Sequence, residues 1–230
     1  MLRFLVLLLA FLIVPTAEAT ELRLLMGSTV SSFSSRWPSS YDQYAFEGSG
    51  LNPFKNYRAG VAFGLGVGFP LVRNVTLELG AQYSARGADY KMWYPSLGND
   101  GYEEFHDLKG VSFPVILRFS PFRWPWPYIM AGGDVTLILQ HRRRTLLLYN
   151  YGYDDQWHLG GGEDFDPSTR KWDLAPLVGL GVEVPISRGT FFIEGRYEIG
   201  LTNLYRGSLD GLVRTRTVHF LVGYRIRAPQ

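Results

Sequence analysis

The residues that invite a chemical reading are two histidines beside charge. His106 precedes Asp107, and His141 opens onto Arg142-Arg143-Arg144. A Ser-His-acid or Asp-His set would be hydrolase machinery. Nothing here marks a nucleophile, so no catalytic residue is assigned. The four histidines, His106, His141, His158 and His219, lack H-x-x-H or H-E-x-x-H spacing, and there is no cysteine. No metal ligand set, thiol nucleophile or disulfide framework follows. Gly64-x-Gly-x-Gly and Gly179-x-Gly look like phosphate-cradling loops, yet neither opens a helix. The dinucleotide reading fails its context, and no cofactor is expected.

A second set of charges repeats at a different spacing. Glu194, Arg196 and Glu198 alternate with Ile193, Tyr197 and Ile199. Period two is the mark of a strand whose faces meet unlike surroundings. The same alternation recurs along the chain, in segments beginning near Leu22, Tyr57, Val75, Gly110, Tyr128, Leu174, Phe191 and Thr217. The segment from Leu22 is the least regular, because Leu25 and Ser28 break its pattern. Pro114 inside the fourth removes a ladder donor and calls for a bulge or irregularity.

About eight strands are expected, joined by connections that alternate long and short. Residues 35–56, 87–107, 141–171 and 203–215 read as long loops. Pro70–Asn74, Ser120–Pro127 and Pro185–Gly189 read as short turns. Up-and-down order then gathers the short turns and both mature termini at one end, an asymmetry typical of barrels in outer membranes. The first residues agree. Arg3, the apolar run Phe4–Val14 and Ala17-Glu18-Ala19 make a signal peptide over residues 1–19, with a barrel domain over 20–230.

Composition decides which face meets lipid. The polar parity is rich in glycine with scattered charges of both signs: Glu78, Arg118, Asp134, Glu183, Glu194, Arg196, Glu198 and Arg225. Inside a narrow barrel, glycine makes room for a few long side chains, and mixed signs let buried ions pair. The apolar parity carries almost no charge. Its aromatics cluster in two groups, Phe69, Phe119, Trp124, Trp126, Tyr128, Phe191 and Tyr224 toward the short turns, and Tyr57, Tyr83, Trp93, Tyr94, Trp172 and Tyr205 toward the long loops. Two aromatic belts flanking an aliphatic band suit membrane interfaces.

The order of motifs resembles the outer-membrane β-barrel domain family often called PorT-like. The resemblance rests on Glu78-Leu79-Gly80-Ala81-Gln82-Tyr83-Ser84-Ala85-Arg86-Gly87, Phe113–Arg118, Pro127–Gly132, Arg196–Asn203 and Val222-Gly223-Tyr224-Arg225. It implies a fold and a Gram-negative outer-membrane location, with no shared enzymatic activity. The tail Arg227-Ala228-Pro229-Gln230 departs from the aromatic ending usual in such barrels.

The expectation is an all-β, eight-stranded antiparallel up-and-down transmembrane β-barrel with short periplasmic turns and long extracellular loops. At that strand number the eight lumen residues make a paired polar core and not a channel. Function falls to the loops, in binding, assembly or envelope integrity. The expected partners are outer-membrane lipid and lipopolysaccharide, the barrel-insertion machinery and an envelope protein, for a monomeric chain. Arg142, Arg143 and Arg144 either contact lipopolysaccharide phosphates or form a solvated run balanced by Glu163, Asp164 and Asp166. A net charge of +2, from 23 basic and 21 acidic residues, argues against nucleic acid. The rivals are a membrane-embedded hydrolase or protease and a secreted lipocalin-like carrier.

Overall fold

The structure, a computed structural model, describes residues 21–36, 54–94, 100–121, 127–151, 154–159, 169–186, 189–204 and 212–227. The signal-peptide segment lies outside them. The described residues form nine strands: β1 (Glu21–Arg36), β2 (Phe54–Val72), β3 (Val75–Tyr94), β4 (Asp100–Phe119), β5 (Pro127–Tyr151), β6 (Asp154–Leu159), β7 (Trp172–Ile186), β8 (Gly189–Ile199) and β9 (Leu212–Arg227). All but β6 are staves of one closed ring. Each pairs antiparallel with the next stave in chain order, and β9 returns to β1. Closure removes the open strand edges that lipid could not satisfy. β6 pairs with the far end of β5 as a hairpin beyond the ring.

The register fixes the size of the interior. Paired residues lead from Glu21 through Gly68, Glu78, Ile116, Gly132, Leu177, Glu198 and Thr217 back to β1 at Ser31. The start and finish lie ten residues apart on β1, which is the shear of the barrel. Eight strands with that stagger tilt by roughly 35–45° and leave an interior that side chains can fill.

The two faces separate as alternation requires. Leu180, Met26 and Phe63 are 65%, 64% and 56% exposed in mid-strand, while Glu194, Arg225 and Asp134 are almost wholly buried. Such a surface is unstable in water and suited to lipid. β1 obeys the rule despite its irregular sequence, with Leu22, Leu24 and Met26 outside and Arg23 and Thr29 inside. Pro114 keeps its place opposite Asp134 on β5. On its other side the ladder lapses between Leu79↔Val115 and Gln82↔Ser112, where the missing N–H would fall.

Two expectations are corrected. Residues 87–94, 100–107 and much of 141–171 are paired strand, not loop. β3 and β4 stay in register out to Tyr94↔Asp100, and β4 and β5 out to Gly101↔Leu148. Above the aliphatic band no lipid selects an apolar face, so alternation fades while pairing continues. Tyr128 is not a belt residue: it points inward and is 1% exposed. Phe119, Phe191, Tyr57 and Trp172 are outward and at least 39% exposed. Tyr83 lies within the aliphatic band, stacked on Phe63 with ring centroids 4.9 Å apart. Trp124, Trp126 and Tyr205 lie outside the described residues, as do the side chains of Trp93 and Tyr94.

Candidate functional site: the filled lumen and the outer rim

The end of the lumen near the short turns holds four guanidiniums and four carboxylates. Arg118 reaches Glu183 at 2.9 Å, Glu21 at 3.0 Å and Glu78 at 3.1 Å. Arg225 meets the same three, Glu183 together with Glu21 at 3.1 Å and Glu78 at 3.4 Å. Arg23 joins Glu78 to Glu194. Arg196 chelates Glu194 through Nη2 at 2.6 Å and Nε at 3.0 Å. Tyr128 donates its phenol to Glu194 at 2.6 Å. The guanidiniums of Arg23 and Arg225 also lie 4.5 and 5.3 Å from the Phe192 ring centroid, a favourable cation–π placement once desolvated.

Two glycines make this layer possible. A Cβ on Gly181 would fall 2.5 Å from the Tyr128 ring, and one on Gly223 would fall 2.3 Å from the Phe192 ring. The far end of each ring therefore lies against bare backbone, leaving the centre of the lumen to the charges. This is the steric reason for glycine on the inward parity.

Farther toward the long loops lies a second layer of different make-up. Arg86 pairs with Glu198 at 2.9 Å, reaches Asp134 at 3.6 Å and donates Nε to Ser84 Oγ at 3.0 Å. Gln82 Nε2 lies 3.2 Å from His219 Nδ1, and His219 Nε2 lies 3.1 Å from Glu198. The amide donates to Nδ1, which leaves the ring proton on Nε2 to be donated to the carboxylate. Thr136 donates to Asp134 at 2.9 Å, and Thr215 to Asp173 at 2.6 Å.

An apolar cap closes the lumen above this layer. Phe33, Ala88, Leu108, Ile138, Leu204 and Val213 form one buried cluster. A bulge opposite Lys109 and Gly110 shifts the phase of β5, so that Ile138 and His141 both turn inward. His106 packs edge-on to Phe33 at 5.6 Å, and its Nδ1 lies 3.0 Å from His141 Nε2. His141 Nδ1 lies 2.6 Å from the Thr169 hydroxyl. Asp107 points to the other face of β4, where it meets Arg58 at 2.7 Å and Arg144 at 3.1 Å. His106 and Asp107 are thus neighbours in sequence but not in space. The hydroxyl that does reach a histidine, on Thr169, belongs to a residue with 0% exposure.

All eight charged residues singled out in the sequence lie on the inward parity and take part in the two layers. Glu194 and Glu198 meet Arg23, Arg196 and Arg86, while Arg118 and Arg225 turn to Glu183, Glu78 and Glu21. Sequence reasoning missed Glu21, Arg23, Asp173, His219 and the inward Tyr128. Parity alone would have found Arg23 and His219, which stand between outward Leu22 and Leu24 and between Val218 and Phe220. In the arginine run, Arg142 is exposed and Arg144 pairs with Asp107. The side chain of Arg143, and Glu163, Asp164 and Asp166, lie outside the described residues.

The model of one protein family, described as outer membrane protein beta-barrel domain, matches residues 23–206. The chain belongs to this family. It is an outer-membrane β-barrel protein. Among solved structures it is similar to Ail, the attachment invasion locus protein of Yersinia pestis, solved with the heparin analogue sucrose octasulfate. That match has 14% identity and a TM-score of 0.42, covering 90% of this chain and 99% of that one. Neisserial surface protein A is similar at 10% identity and a TM-score of 0.36, over 90% of this chain and 97% of that one. OprG from Pseudomonas aeruginosa is similar at 11% identity and a TM-score of 0.33, over 92% and 98%. No curated protein matches the chain.

Proposed function

We propose that this protein is a closed, non-catalytic barrel that holds its outer strand extensions and loops as a surface for binding, assembly or envelope integrity. The observation that carries the reading is the filling of the lumen. Two layers of buried ion pairs and an apolar cap occupy the interior in series, from Arg225 at one end to Leu204 at the other. A conducting pore keeps a continuous water path lined by unpaired polar groups. Here the guanidiniums and carboxylates are bound to one another, and the void between Arg23, Gln82 and Pro114 is only about 20 Å³, room for about one water.

In the same reading residues 1–19 are a cleaved export signal, the insertion machinery folds the mature barrel into the membrane, and partners meet it from outside. Reconstitution in planar bilayers tests the closed lumen. The expected outcome is no steady conductance step from the folded protein at moderate voltage. A stable ion current that scales with the amount of folded barrel would rule the reading out. Pull-down from detergent-solubilised envelopes then identifies the partner, and N-terminal sequencing of the mature chain locates the cleavage site.

A further inference from the structure

Among the described residues of the outer rim, one flank gathers exposed cations where the aliphatic band ends. Lys109 is exposed on β4 and pairs in register with Gln140 of β5. On the other side of β5, Ile138 donates its N–H to the carbonyl of Lys171 at 2.8 Å, and Lys171 and Arg170 are exposed. Lys109 and Lys171 therefore bracket β5 from its two neighbours, about two strand spacings or roughly 10 Å apart. Arg142, also exposed, stands just above them on β5. The carboxylate nearest in register, Asp107, is already bound by Arg58 and Arg144. Among the described residues no carboxylate pairs with Lys109, Arg170 or Lys171.

Directly beside these cations the surface is apolar. Leu139 is 54% exposed, Leu174 50% and Trp172 39%. An indole at that depth suits the boundary between headgroup and hydrocarbon. Cations at the level of Leu139, with the indole of Trp172 and then Leu174 below them, match one kind of molecule, a phosphorylated headgroup carrying acyl chains.

We infer that the flank formed by β4, β5 and the start of β7 binds the phosphate groups of an outer-leaflet glycolipid. Lys109 and Lys171 are its principal phosphate contacts, Leu139 lies between them, and the acyl chains run down past Trp172 and Leu174. The inference rests on the placement of the long-loop end at the outer leaflet and is independent of whether the lumen conducts. It moves the lipid contact from the Arg142–Arg144 run alone to cations on β4, on β5 and just before β7, with Arg144 largely committed to Asp107.

The test uses the full mature barrel refolded in detergent, titrated with lipid A and with the same lipid after chemical dephosphorylation, and read by tryptophan fluorescence. The expected result is preference for the phosphorylated lipid and roughly a tenfold loss of affinity in the double variant Lys109→Ala/Lys171→Ala, since cations at a membrane surface each contribute severalfold. Arg216→Ala removes an exposed cation on the β9 flank and leaves affinity within about twofold of wild type. Inorganic phosphate at the same concentration does not compete, because the acyl chains supply part of the affinity. Equal binding of the two lipids, or equal loss in the Arg216 and Lys109/Lys171 variants, overturns the proposal. Vesicle flotation is run alongside. A wild-type chain that fails to float removes the membrane placement itself, and the lipid site with it.

Discussion

The two charged layers of the lumen are built from the same residue types and do not carry the same risk. Near the short turns, Arg23, Arg118, Arg196 and Arg225 face Glu21, Glu78, Glu183 and Glu194, and nearly every member touches more than one opposite charge. Near the long loops, Asp134 and Glu198 share one guanidinium, that of Arg86, with His219 and hydroxyl groups supplying the remaining contacts. A balanced lattice tolerates the loss of one member because the others keep partners. A hub does not. The comparison teaches that buried charge is safe in proportion to how many alternatives each ion has.

The largest effect is therefore expected at Arg86. Replacing it with methionine keeps most of the volume and leaves two carboxylates, Asp134 and Glu198, without a guanidinium in a closed interior. Breaking a buried pair by deleting one partner costs about 3–5 kcal/mol. Urea unfolding of the refolded barrel in vesicles measures the loss. The comparison sharpens further if Glu198→Gln, added to Arg86→Met, restores part of the stability by removing one stranded charge. An Arg86→Met variant as stable as wild type would mean that the upper layer is not organised around this residue.

The contrast also shows what could be read from the chain. The barrel itself was legible, because lipid outside and packed charge inside write their difference into every second residue, from Val61 to Ile226. The phase of each strand survived even the irregular β1, since Leu25 and Ser28 obscure the pattern without shifting it. Pairing across the lumen was not legible. Which arginine meets Glu194 depends on the ten-residue stagger around the ring, and that is a property of all the staves together. The length of the outer strands was hidden for another reason: beyond the lipid, pairing leaves no period in the sequence. Tyr128 misled because an aromatic near a strand end suits an interface belt, and its place over Gly181 shows only in three dimensions.

The balanced layer should yield a smaller change at its most connected carboxylate. In Glu78→Gln the three arginines around position 78 keep other acids: Arg23 keeps Glu194, and Arg118 and Arg225 keep Glu183 and Glu21. The amide oxygen still accepts a hydrogen bond. The expected loss is about 1–2 kcal/mol, measured in the same urea series and well below that of Arg86→Met. If the two variants lose equally, connectivity is not what distinguishes the layers.

The smallest effect belongs to a residue that holds one charge without carrying any. Tyr128→Phe leaves the ring over Gly181 and removes a single donor, the phenol 2.6 Å from Glu194. Glu194 retains Arg23 and the two nitrogens of Arg196, so it does not become a stranded ion. What is lost is one charge-assisted bond among several, about 1–2 kcal/mol before the neighbours relax and less after. The informative measurement is a double-mutant cycle with Arg196→Met. In a lattice where partners substitute for one another, the hydroxyl matters more once Arg196 is gone, and the paired variant loses more than the sum of the two single losses. Strict additivity would instead mean that Tyr128 and Arg196 hold Glu194 independently.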